Sequence, residues 1–498
     1  MISQALQKAR NYENTSEQTI TEKERPAFHL TPRIGWMNDP NGFSYYQGQY
    51  HLFYQYNPYD IHWGPMHWGH AVSRDLLHWE FLPAALAPDK DYDKDNGCFS
   101  GSALSLPDGR QLLMYTGVIQ EPQEDGSSRD VQTQCLAIGD GVNYEKLDSN
   151  PVLDEKDIPQ GSSKVDFRDP KMWRNDDGTY SCVIANRPAD GSGHILLYSS
   201  PDGLNWKFES VLAENKNRFG KMWECPDFFE LDGKHLLLVS PQDMLAQGLE
   251  YRSGNGTLCL IGSFDKDTKK FIEEQNQAID YGIDFYATQT LLAPDGRRIM
   301  IGWMQNWDTC IPQNPDTKWF GQMSIPREIQ VKNGRLVQNP IRELELLREH
   351  KFSCEDVFID DDTICFEQVN GRRIDMEIQI SPDDPAEMYK KFSLCFAQDE
   401  NFKTVVTFRP DESIVTIDRK CSGSRRALVH ESQCLVNNRN GELKLRIILD
   451  RFSAEIFLND GEQVISTTLY TPQEADGISF SAAGKVKMSL TKYDLTKE

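Results

Sequence analysis

The sequence contains no long apolar run. None of its segments approaches the roughly 18 consecutive apolar residues that a membrane-spanning helix needs. The first 20 residues are polar and lack the apolar core of a secretory signal peptide. We therefore expect no membrane partner, and we predict a cytoplasmic location.

Cysteine pairs at metal-ligand spacing are also missing. The eleven cysteines are odd in number and scattered, and no two form a Cys-x-x-Cys pair. This pattern indicates reduced thiols rather than a disulfide framework or a zinc site. Asp91, Asp93 and Asp95 alternate, but the run lacks the later glutamate of an EF-hand loop, so we interpret it as a solvated loop. The sequence implies no metal and no cofactor.

Basic residues are outnumbered by acidic ones. The 53 Lys and Arg residues face 76 Asp and Glu residues, which gives a net charge of −23. This excess of negative charge disfavours nucleic acid and anionic membranes as partners. The hydrophobic fraction of 39% is ordinary for a globular protein, and the 498 residues suffice for two or three domains.

The sequence does contain a repeated glycine turn. Similar turns place glycines at positions 48, 109, 178, 233 and 296, so successive turns are 61, 69, 55 and 63 residues apart. An apolar or aromatic run follows the turns, as at 50–54 and 235–239, and is typical of the second strand of a hairpin. Units of this length suit four strands each, which predicts a five-bladed β-propeller.

The chain changes character after the last repeat. We predict a polar lead-in at 1–27, the propeller at 28–338 and a linker at 339–351. From 352 to 498 strand-like runs alternate without helical periodicity, and Asn-Asp-Gly at 459–461 is a strong hairpin turn. This pattern favours a β-sandwich. The predicted fold is therefore all-β: a five-bladed β-propeller followed by a C-terminal β-sandwich.

Three acidic residues occupy the same position in the repeat. Asp39, Asp169 and Glu224 each precede their turn glycine by nine residues, where the other two units have Ser100 and Ala287. Any one of these segments alone is better interpreted as a turn, because Asn, Asp and Pro favour turns. In a closed ring, however, equivalent positions become equivalent places in space. We therefore expect the three carboxyl groups to face one another across the centre.

Carboxyl groups that face one another can cleave a glycosidic bond. One protonates the leaving oxygen, and the other attacks the sugar or activates water. Aromatic rings should cover the apolar faces of the sugar, and hydrogen-bond donors should bind its hydroxyl groups. Although each aromatic residue alone is more often part of a core, such residues cluster beside the acids. They include Trp36, Asn38, Phe99, Ser100, Arg168, Trp223 and Tyr286, with Trp63, Trp68 and Trp303 further along the blades.

Six motifs, in this order, carry a family resemblance. They are Trp-Met-Asn-Asp-Pro-Asn-Gly at 36–42, Phe-Ser-Gly-Ser at 99–102, Phe-Arg-Asp-Pro at 167–170, Trp-Glu-Cys-Pro-Asp at 223–227, Asp-Phe-Tyr-Ala at 284–287 and Ala-Glu-Ile-Phe-Leu-Asn-Asp-Gly at 454–461. With them the chain resembles the β-fructofuranosidases of glycoside hydrolase family 32, especially bacterial intracellular sucrose or sucrose-6-phosphate hydrolases. The resemblance covers nearly all of the chain from about residue 28.

The resemblance implies a retaining glycosidase that cleaves the β-fructofuranosidic bond and releases fructose. Asp39 is similar to the family's nucleophile, Glu224 to its acid/base and Asp169 to its transition-state stabiliser. The residues similar to those that bind the sugar are Trp36, Asn38, Gln55, Trp63, Phe99, Ser100, Arg168 and Trp303. The expected partner is a small sugar: sucrose, sucrose 6-phosphate or a short fructo-oligosaccharide.

The charges around the acids predict which of them is ionised and which holds a proton. We expect negative Asp39 and Asp169 to raise the pKa of Glu224, while Arg168 and backbone amides keep the aspartates ionised. An exo-fructanase (inulinase or levanase) or a fructosyltransferase would use the same three acids and remains an alternative. A non-catalytic sugar-binding propeller is disfavoured, because all three acids are present.

Overall fold

The structure is a computed structural model that describes residues 2–310, 312, 316–424 and 429–496. Nearly all regular structure within these ranges is β-strand, and the one α-helix is α1 (Gln4–Ser16). Over the same ranges, no helix has both the length and the apolar character to cross a membrane. The prediction of an all-β fold is confirmed.

Five antiparallel sheets of consecutive strands form the N-terminal part. The strands are β1 (Gly35–Tyr46), β2 (Gln49–Asn57), β3 (His67–Ser73) and β4 (Trp79–Leu86); β5 (Gly97–Ser105), β6 (Gln111–Pro122), β7 (Ser128–Gly139) and β8 (Tyr144–Lys146); β9 (Phe167–Arg174), β10 (Tyr180–Asn186), β11 (His194–Ser200) and β12 (Lys207–Glu214); β13 (Trp223–Leu231), β14 (Lys234–Pro241), β15 (Leu258–Asp265) and β16 (Lys270–Ala278); and β17 (Tyr286–Leu292), β18 (Arg298–Trp303), β19 (Trp319–Phe320), β20 (Arg327–Lys332) and β21 (Arg335–Pro340). Strand β19 leaves the fifth sheet and pairs in parallel with β1.

The five sheets close into a ring. The first strand of each sheet contacts the first strand of the next, and β17 of the last sheet contacts β1 again. The five predicted turn glycines lie between the first and second strands of their sheets, with φ angles of 75° to 87° that other residues rarely adopt. The predicted five-bladed β-propeller is therefore confirmed, and its first strands surround the axis.

Two six-stranded sheets form the C-terminal β-sandwich, after a 3₁₀-helix at Arg342–Leu347. One has the order β22-β33-β24-β29-β30-β31, and the other the order β23-β32-β25-β26-β27-β28. Their buried side chains, such as Ile378 and Ile447 from one sheet and Leu394 and Phe480 from the other, share one core. The strands are β22 (Arg348–Asp360), β23 (Thr363–Ile364), β24 (Ile374–Pro382), β25 (Lys391–Gln398), β26 (Thr404–Arg409), β27 (Ile414–Asp418), β28 (Glu431–Leu435), β29 (Leu443–Asp450), β30 (Ser453–Leu458), β31 (Gln463–Thr468), β32 (Gly477–Ala483) and β33 (Lys485–Leu495).

A buried network of charged side chains joins the propeller to the sandwich. Arg327 donates to Glu455 at 2.6 Å and to Asp280 at 3.0 Å. The ring nitrogens of His29 lie 2.8 Å from Asp450 and 3.1 Å from Glu455. Burial opposes a charge on His29, but the hydrogen bonds and charges of Asp450 and Glu455 outweigh it and raise the pKa of His29 to about 9. Each buried charge in this network therefore has an opposite partner, as burial requires.

The stability that His29 contributes should depend on pH. Its pKa is higher in the folded state, about 9, than the ordinary value of 6.5, so the contribution is complete below pH 6.5 and is lost as the pH rises through 9. The full loss is on the order of 3 kcal/mol. We expect the Tm of the wild type to fall more between pH 6.5 and 9 than the Tm of a His29→Gln variant, which has no ring to titrate. If the Tm values of the wild type and the variant fall by the same amount in thermal denaturation, His29 is uncharged in the folded state.

Candidate active site

The three acids of the repeat lie on first strands of the propeller. Asp39 belongs to β1, Asp169 to β9 and Glu224 to β13, so their side chains gather near the axis. Cys225 connects them: its sulfur is 3.5 Å from Asp39 Oδ2 and 3.8 Å from Asp169 Oδ2, and its backbone N–H donates to Asp169 Oδ2 at 2.9 Å. Since Cys225 directly follows Glu224, the three carboxyl groups form one cluster.

Irregular strand pairing places these side chains. The register between first and second strands shifts between Met37 and Pro40 and again between Glu224 and Asp227, and β9 has a similar shift. Such bulges redirect side chains and are common beside active sites. Asp169 and Cys225 adopt φ angles of 64° and 49°. These left-handed conformations cost roughly 1–3 kcal/mol each, and they cluster at functional positions.

Hydrogen bonds hold both oxygens of Asp39. Ser100 Oγ donates to Oδ2 at 2.7 Å, and Asn38 Nδ2 donates to Oδ1 at 3.0 Å. The Asn38 amide is itself oriented by the indole N–H of Trp36, which donates to its oxygen at 2.7 Å. The carboxylate is therefore fixed in orientation, as an attacking group requires.

Glu224 lies between a guanidinium group and a phenol. Arg168 donates to Oε1 through Nε at 3.1 Å and through Nη2 at 3.0 Å, and Tyr286 donates to Oε2 at 2.6 Å. Arg168 also donates through Nη1 to Asp166 Oδ1 at 2.6 Å, and this bond holds the guanidinium group in place. Burial raises the pKa of Glu224 above its ordinary value; Arg168 opposes this rise, and the negative charge of Asp39 adds to it. The protonated form of Glu224 is therefore favoured more than that of an exposed glutamate, as an acid role requires.

The pKa of Asp169 is higher than the predicted ionised state requires. Burial raises its pKa to about 7; Arg168 opposes the rise, and the charges of Glu224 and Asp39 add to it. The prediction that Arg168 and backbone amides keep this aspartate ionised is therefore wrong, because one guanidinium and the N–H of Cys225 do not offset burial among like charges. Close carboxyl groups share their protons, so the cluster retains one up to about pH 7.

Aromatic side chains surround the cluster. Trp36 and Trp303, with ring centroids 5.9 Å apart, belong to the same apolar group as Cys225, and Phe99 packs against it. Trp63 is 43% exposed and meets the ring of Phe99 edge-on at 5.9 Å. These rings form a wall beside the acids, and Trp63 is its exposed member.

Other predicted residues differ in what they contact. Gln55 donates to the backbone carbonyl of Cys98, next to Phe99, at 2.9 Å, which places it at the same wall. Trp68 and Trp223 are fully buried, and their indole N–H groups donate to backbone carbonyls. We therefore assign these two tryptophans to the core. Of the eight predicted substrate-binding residues, Asn38, Ser100 and Arg168 contact an acid directly.

The sequence reasoning missed two members of the site and left the role of a third unassigned. Tyr286 was placed among the aromatic residues beside the acids, but not among the residues that bind the sugar; it stands ten residues before its turn glycine, the position that Asn38 and Arg168 occupy in their repeats. Cys225 directly follows a predicted catalytic residue. Thr116 accepts the backbone N–H of Asp169 at 3.1 Å from a different blade, and no signal in the sequence points to it.

The alternating acidic run is not uniformly solvated. Asp93 is fully buried, and it accepts hydrogen bonds from Lys146 at 2.5 Å and from Tyr115 at 2.9 Å. The interpretation as a solvated loop is therefore wrong for Asp93, because an internal lysine balances its charge. In the part of the chain that the structure describes, no three His, Cys, Asp or Glu side chains are arranged to hold a metal ion.

Two family profiles match the chain. The "Glycosyl hydrolases family 32 N-terminal domain" matches residues 29–340, and the "Glycosyl hydrolases family 32 C terminal" matches residues 343–496. Together these matches include nearly the whole chain from residue 29.

Several curated relatives have similar sequences over most of their length. The raffinose invertase of Escherichia coli is 38% identical over 92% of either chain, and the sucrose-6-phosphate hydrolase of Escherichia coli is 37% identical over 92% of either chain. The levanase of Bacillus subtilis (strain 168) is 34% identical over 96% of this chain and 71% of its own.

Solved structures of family 32 enzymes are also similar to this chain. A GH32 β-fructofuranosidase of Bombyx mori is 35% identical, with a TM-score of 0.84 over 99% of this chain and 98% of that chain. A mutant of the same protein was solved in complex with sucrose. The fold, the clustered acids and these matches lead to one conclusion: the chain belongs to glycosyl hydrolase family 32 and is a glycosidase.

Proposed function

We propose that this glycosidase is a retaining β-fructofuranosidase that hydrolyses sucrose, sucrose 6-phosphate or short fructo-oligosaccharides and releases fructose. The observation that carries the proposal is the cluster of Asp39, Asp169 and Glu224 around Cys225. The names of the invertase and sucrose-6-phosphate hydrolase relatives, and the sucrose complex of the insect enzyme, support this substrate class.

In the first step, Asp39 attacks the anomeric carbon of the fructosyl unit. An ester bond forms between this carbon and a carboxylate oxygen, while the bond to the leaving oxygen breaks and Glu224 gives that oxygen a proton. Ser100 and Asn38 hold the attacking carboxylate. The raised pKa of Glu224 keeps a proton available for the transfer.

In the second step, the roles of the two groups reverse. Glu224, now a carboxylate, takes a proton from water, and the water oxygen attacks the anomeric carbon and releases Asp39. Arg168, with two bonds to Glu224, stabilises the carboxylate that the first step produces. Burial keeps the pKa of Tyr286 far above its usual range, so its hydroxyl remains a donor to Glu224 in both steps. Two displacements at one carbon retain its configuration.

Asp169 has the role of stabilising the transition state. The N–H of Cys225 orients its carboxyl group at 2.9 Å, and its own backbone is held by Thr116. When the proton that the cluster shares lies on Glu224, Asp169 is ionised and can accept hydrogen bonds from fructose hydroxyls and balance the positive charge that develops on the sugar ring. The residues that bind the sugar in this proposal are Trp36, Asn38, Gln55, Trp63, Phe99, Ser100, Arg168 and Trp303.

The experiment that tests this function compares kcat/KM on sucrose, sucrose 6-phosphate and a short inulin-type oligosaccharide. We expect fructose from all three, with the two disaccharides preferred. A tenfold preference for the phosphorylated sugar would correspond to about 1.4 kcal/mol of transition-state binding from its phosphate. No fructose from any of them would contradict the proposal and favour a sugar-binding propeller.

The levanase among the relatives favours one second candidate, an exo-acting fructanase. The same three acids would serve it, so the third substrate decides: a higher kcat/KM on the oligosaccharide than on sucrose identifies a fructanase. Transfer of fructose to a second sugar, instead of to water, would identify a fructosyltransferase. A cytoplasmic location is also part of the proposal, and it is supported by eleven cysteines that are all free thiols.

A further inference from the structure

Helix α1 precedes the part of the chain that the family profile matches, which begins at residue 29. Its first turn is capped by Ser3, whose side chain accepts the N–H of Leu6 at 3.2 Å. Its buried residues recur every three or four positions and define one face against the propeller. These residues are Leu6, Ala9, Arg10 and Glu13.

Two polar side chains anchor that face. Arg10 donates to the carbonyl of Ala84 in β4 at 2.9 Å and to the side chain of Asn143, between β7 and β8, at 2.8 Å. Glu13 accepts the N–H of Ala84 at 3.1 Å. The helix thus binds both the N–H and the carbonyl of Ala84 in the first blade, and Asn143 in the second, so α1 is fixed to these two blades.

A neighbouring face of the helix contacts the loop between β2 and β3. The ring of Tyr12 meets the ring of Tyr59 edge-on, with centroids 5.2 Å apart, and the ammonium of Lys8 lies 5.2 Å from the same ring. Lys8 and Tyr12 are four residues apart and therefore share one side of the helix. Two side chains of the helix therefore contact the ring of Tyr59.

The same loop carries Trp63, and the loop is internally tied. Asn57 closes it with both ends of its amide: Oδ1 accepts the N–H of Tyr59 at 3.2 Å, and Nδ2 donates to the carbonyl of His62 at 3.0 Å. A side chain at Gly64 would come within 2.7 Å of the Asn57 amide, so the loop packs closely there. Tyr59 and Trp63 therefore belong to one loop that Asn57 closes.

We propose that helix α1 positions Trp63 at the mouth of the active site through the Tyr12–Tyr59 contact, and thereby determines how tightly substrate binds. This inference rests on the proposed role of Trp63 in binding the sugar. An exposed tryptophan on a free loop would lose conformational freedom when substrate binds, whereas a loop held in advance avoids that cost. Tyr12 is thus a positioning residue rather than a catalytic one.

A Tyr12→Ala variant should raise KM about threefold to tenfold, the range expected from one lost edge-on aromatic contact, and leave kcat within about twofold of the wild type. Tyr12→Phe keeps the ring and should behave like the wild type. Tyr45→Ala is the matched control, because Tyr45 is 39% exposed, Tyr12 is 37% exposed, and Tyr45 meets Tyr50 edge-on at 5.1 Å near the β1–β2 turn. It should leave KM unchanged.

A double-variant cycle with Trp63→Ala shows whether the effect passes through this tryptophan. The dissociation constant of sucrose in a Glu224→Gln background gives a second readout that needs no turnover. We expect Trp63→Ala to weaken binding and Tyr12→Ala to add nothing further in its presence; additive losses would overturn the inference.

The remaining outcomes separate this inference from the proposed function. Normal KM in Tyr12→Ala beside a raised KM in Trp63→Ala overturns the role of the helix alone. Unchanged binding in Trp63→Ala overturns both the assigned role of Trp63 and the inference built on it. Equal losses in Tyr12→Ala and Tyr45→Ala would indicate general loosening of the blade and also contradict it. An inactive wild type that still binds sucrose contradicts the proposed function only.

Discussion

A Glu224→Gln variant is expected to lose about three orders of magnitude in kcat on sucrose, within the range of 10²–10⁴ that general acid catalysis supplies. The amide is the same size as the carboxyl group, and its oxygen can still accept the bonds that Arg168 now donates to Oε1. Its NH2 group at the Oε2 position can donate to the Tyr286 hydroxyl oxygen, whose own O–H can turn to the Ser240 carbonyl 2.9 Å away. The amide has no acidic proton for the glycosidic oxygen. The sugar alkoxide of sucrose is a poor leaving group without that proton, so the first step becomes slower by this factor.

The choice of substrate separates this role from a structural one. A fructoside with a nitrophenyl leaving group departs without protonation, so the same variant should lose less than about tenfold in the first step on it. Glu230→Gln is the matched control, since Glu230 lies on the same strand, β13, but is exposed. Equal losses on both substrates would contradict an acid role for Glu224.

The pH profile gives an independent check. An acid must hold its proton, so kcat/KM of the wild type should be maintained below the apparent pKa of the cluster and fall as the pH rises through it. Burial raises the pKa of Asp169 to about 7 and raises that of Glu224, which places this limb near neutral pH as a property of the coupled group. With the aryl substrate, Glu224→Gln should lack this limb. If the limb persists there unchanged, another group is the acid.

The sequence was sufficient to predict the fold and the position of the three acids at the axis, because both depend on the repeat. A turn with φ near +80° needs glycine, so Gly48 and its four equivalents mark every blade. A ring brings equivalent strand positions to the same axis, and Asp39, Asp169 and Glu224 follow from counting residues back from those glycines. Local chemistry and symmetry determine these features, and both can be read from one chain.

Features that depend on contacts between distant segments were not accessible in this way. The pKa of Asp169 depends on burial and on charges from two other blades, so a neighbouring arginine in the sequence was a misleading guide. The burial of Asp93 depends on Lys146, 53 residues away. The contact of Tyr12 with Tyr59 joins a segment outside the repeat to a loop within it. Spacing along the chain predicts none of these pairs.

The largest loss is expected for Asp39→Ala, on the order of 10⁵-fold or more in kcat with every substrate, the scale associated with removal of a covalent nucleophile. A good leaving group should not help, because no carboxylate remains to attack the anomeric carbon. Asp169→Asn provides the comparison: it weakens transition-state binding but leaves the attacking group and its bonds to Ser100 and Asn38 in place. The activity of Asp169→Asn should also fall, but the remaining reaction should still pass through both displacement steps.

Trapping the intermediate distinguishes the two aspartates directly. In Glu224→Gln, the aryl fructoside still forms the ester, but no base activates water, so fructosyl enzyme should accumulate. Acid quenching, proteolysis and mass spectrometry should then locate the sugar on Asp39, and also in the Asp169→Asn, Glu224→Gln double variant. Asp39→Ala with added azide should instead release a fructosyl azide of inverted configuration, since the small anion attacks from the side that the carboxylate left empty. An adduct on Asp169, or a product of inverted configuration from the wild type, would overturn the assignment of Asp39 as the nucleophile.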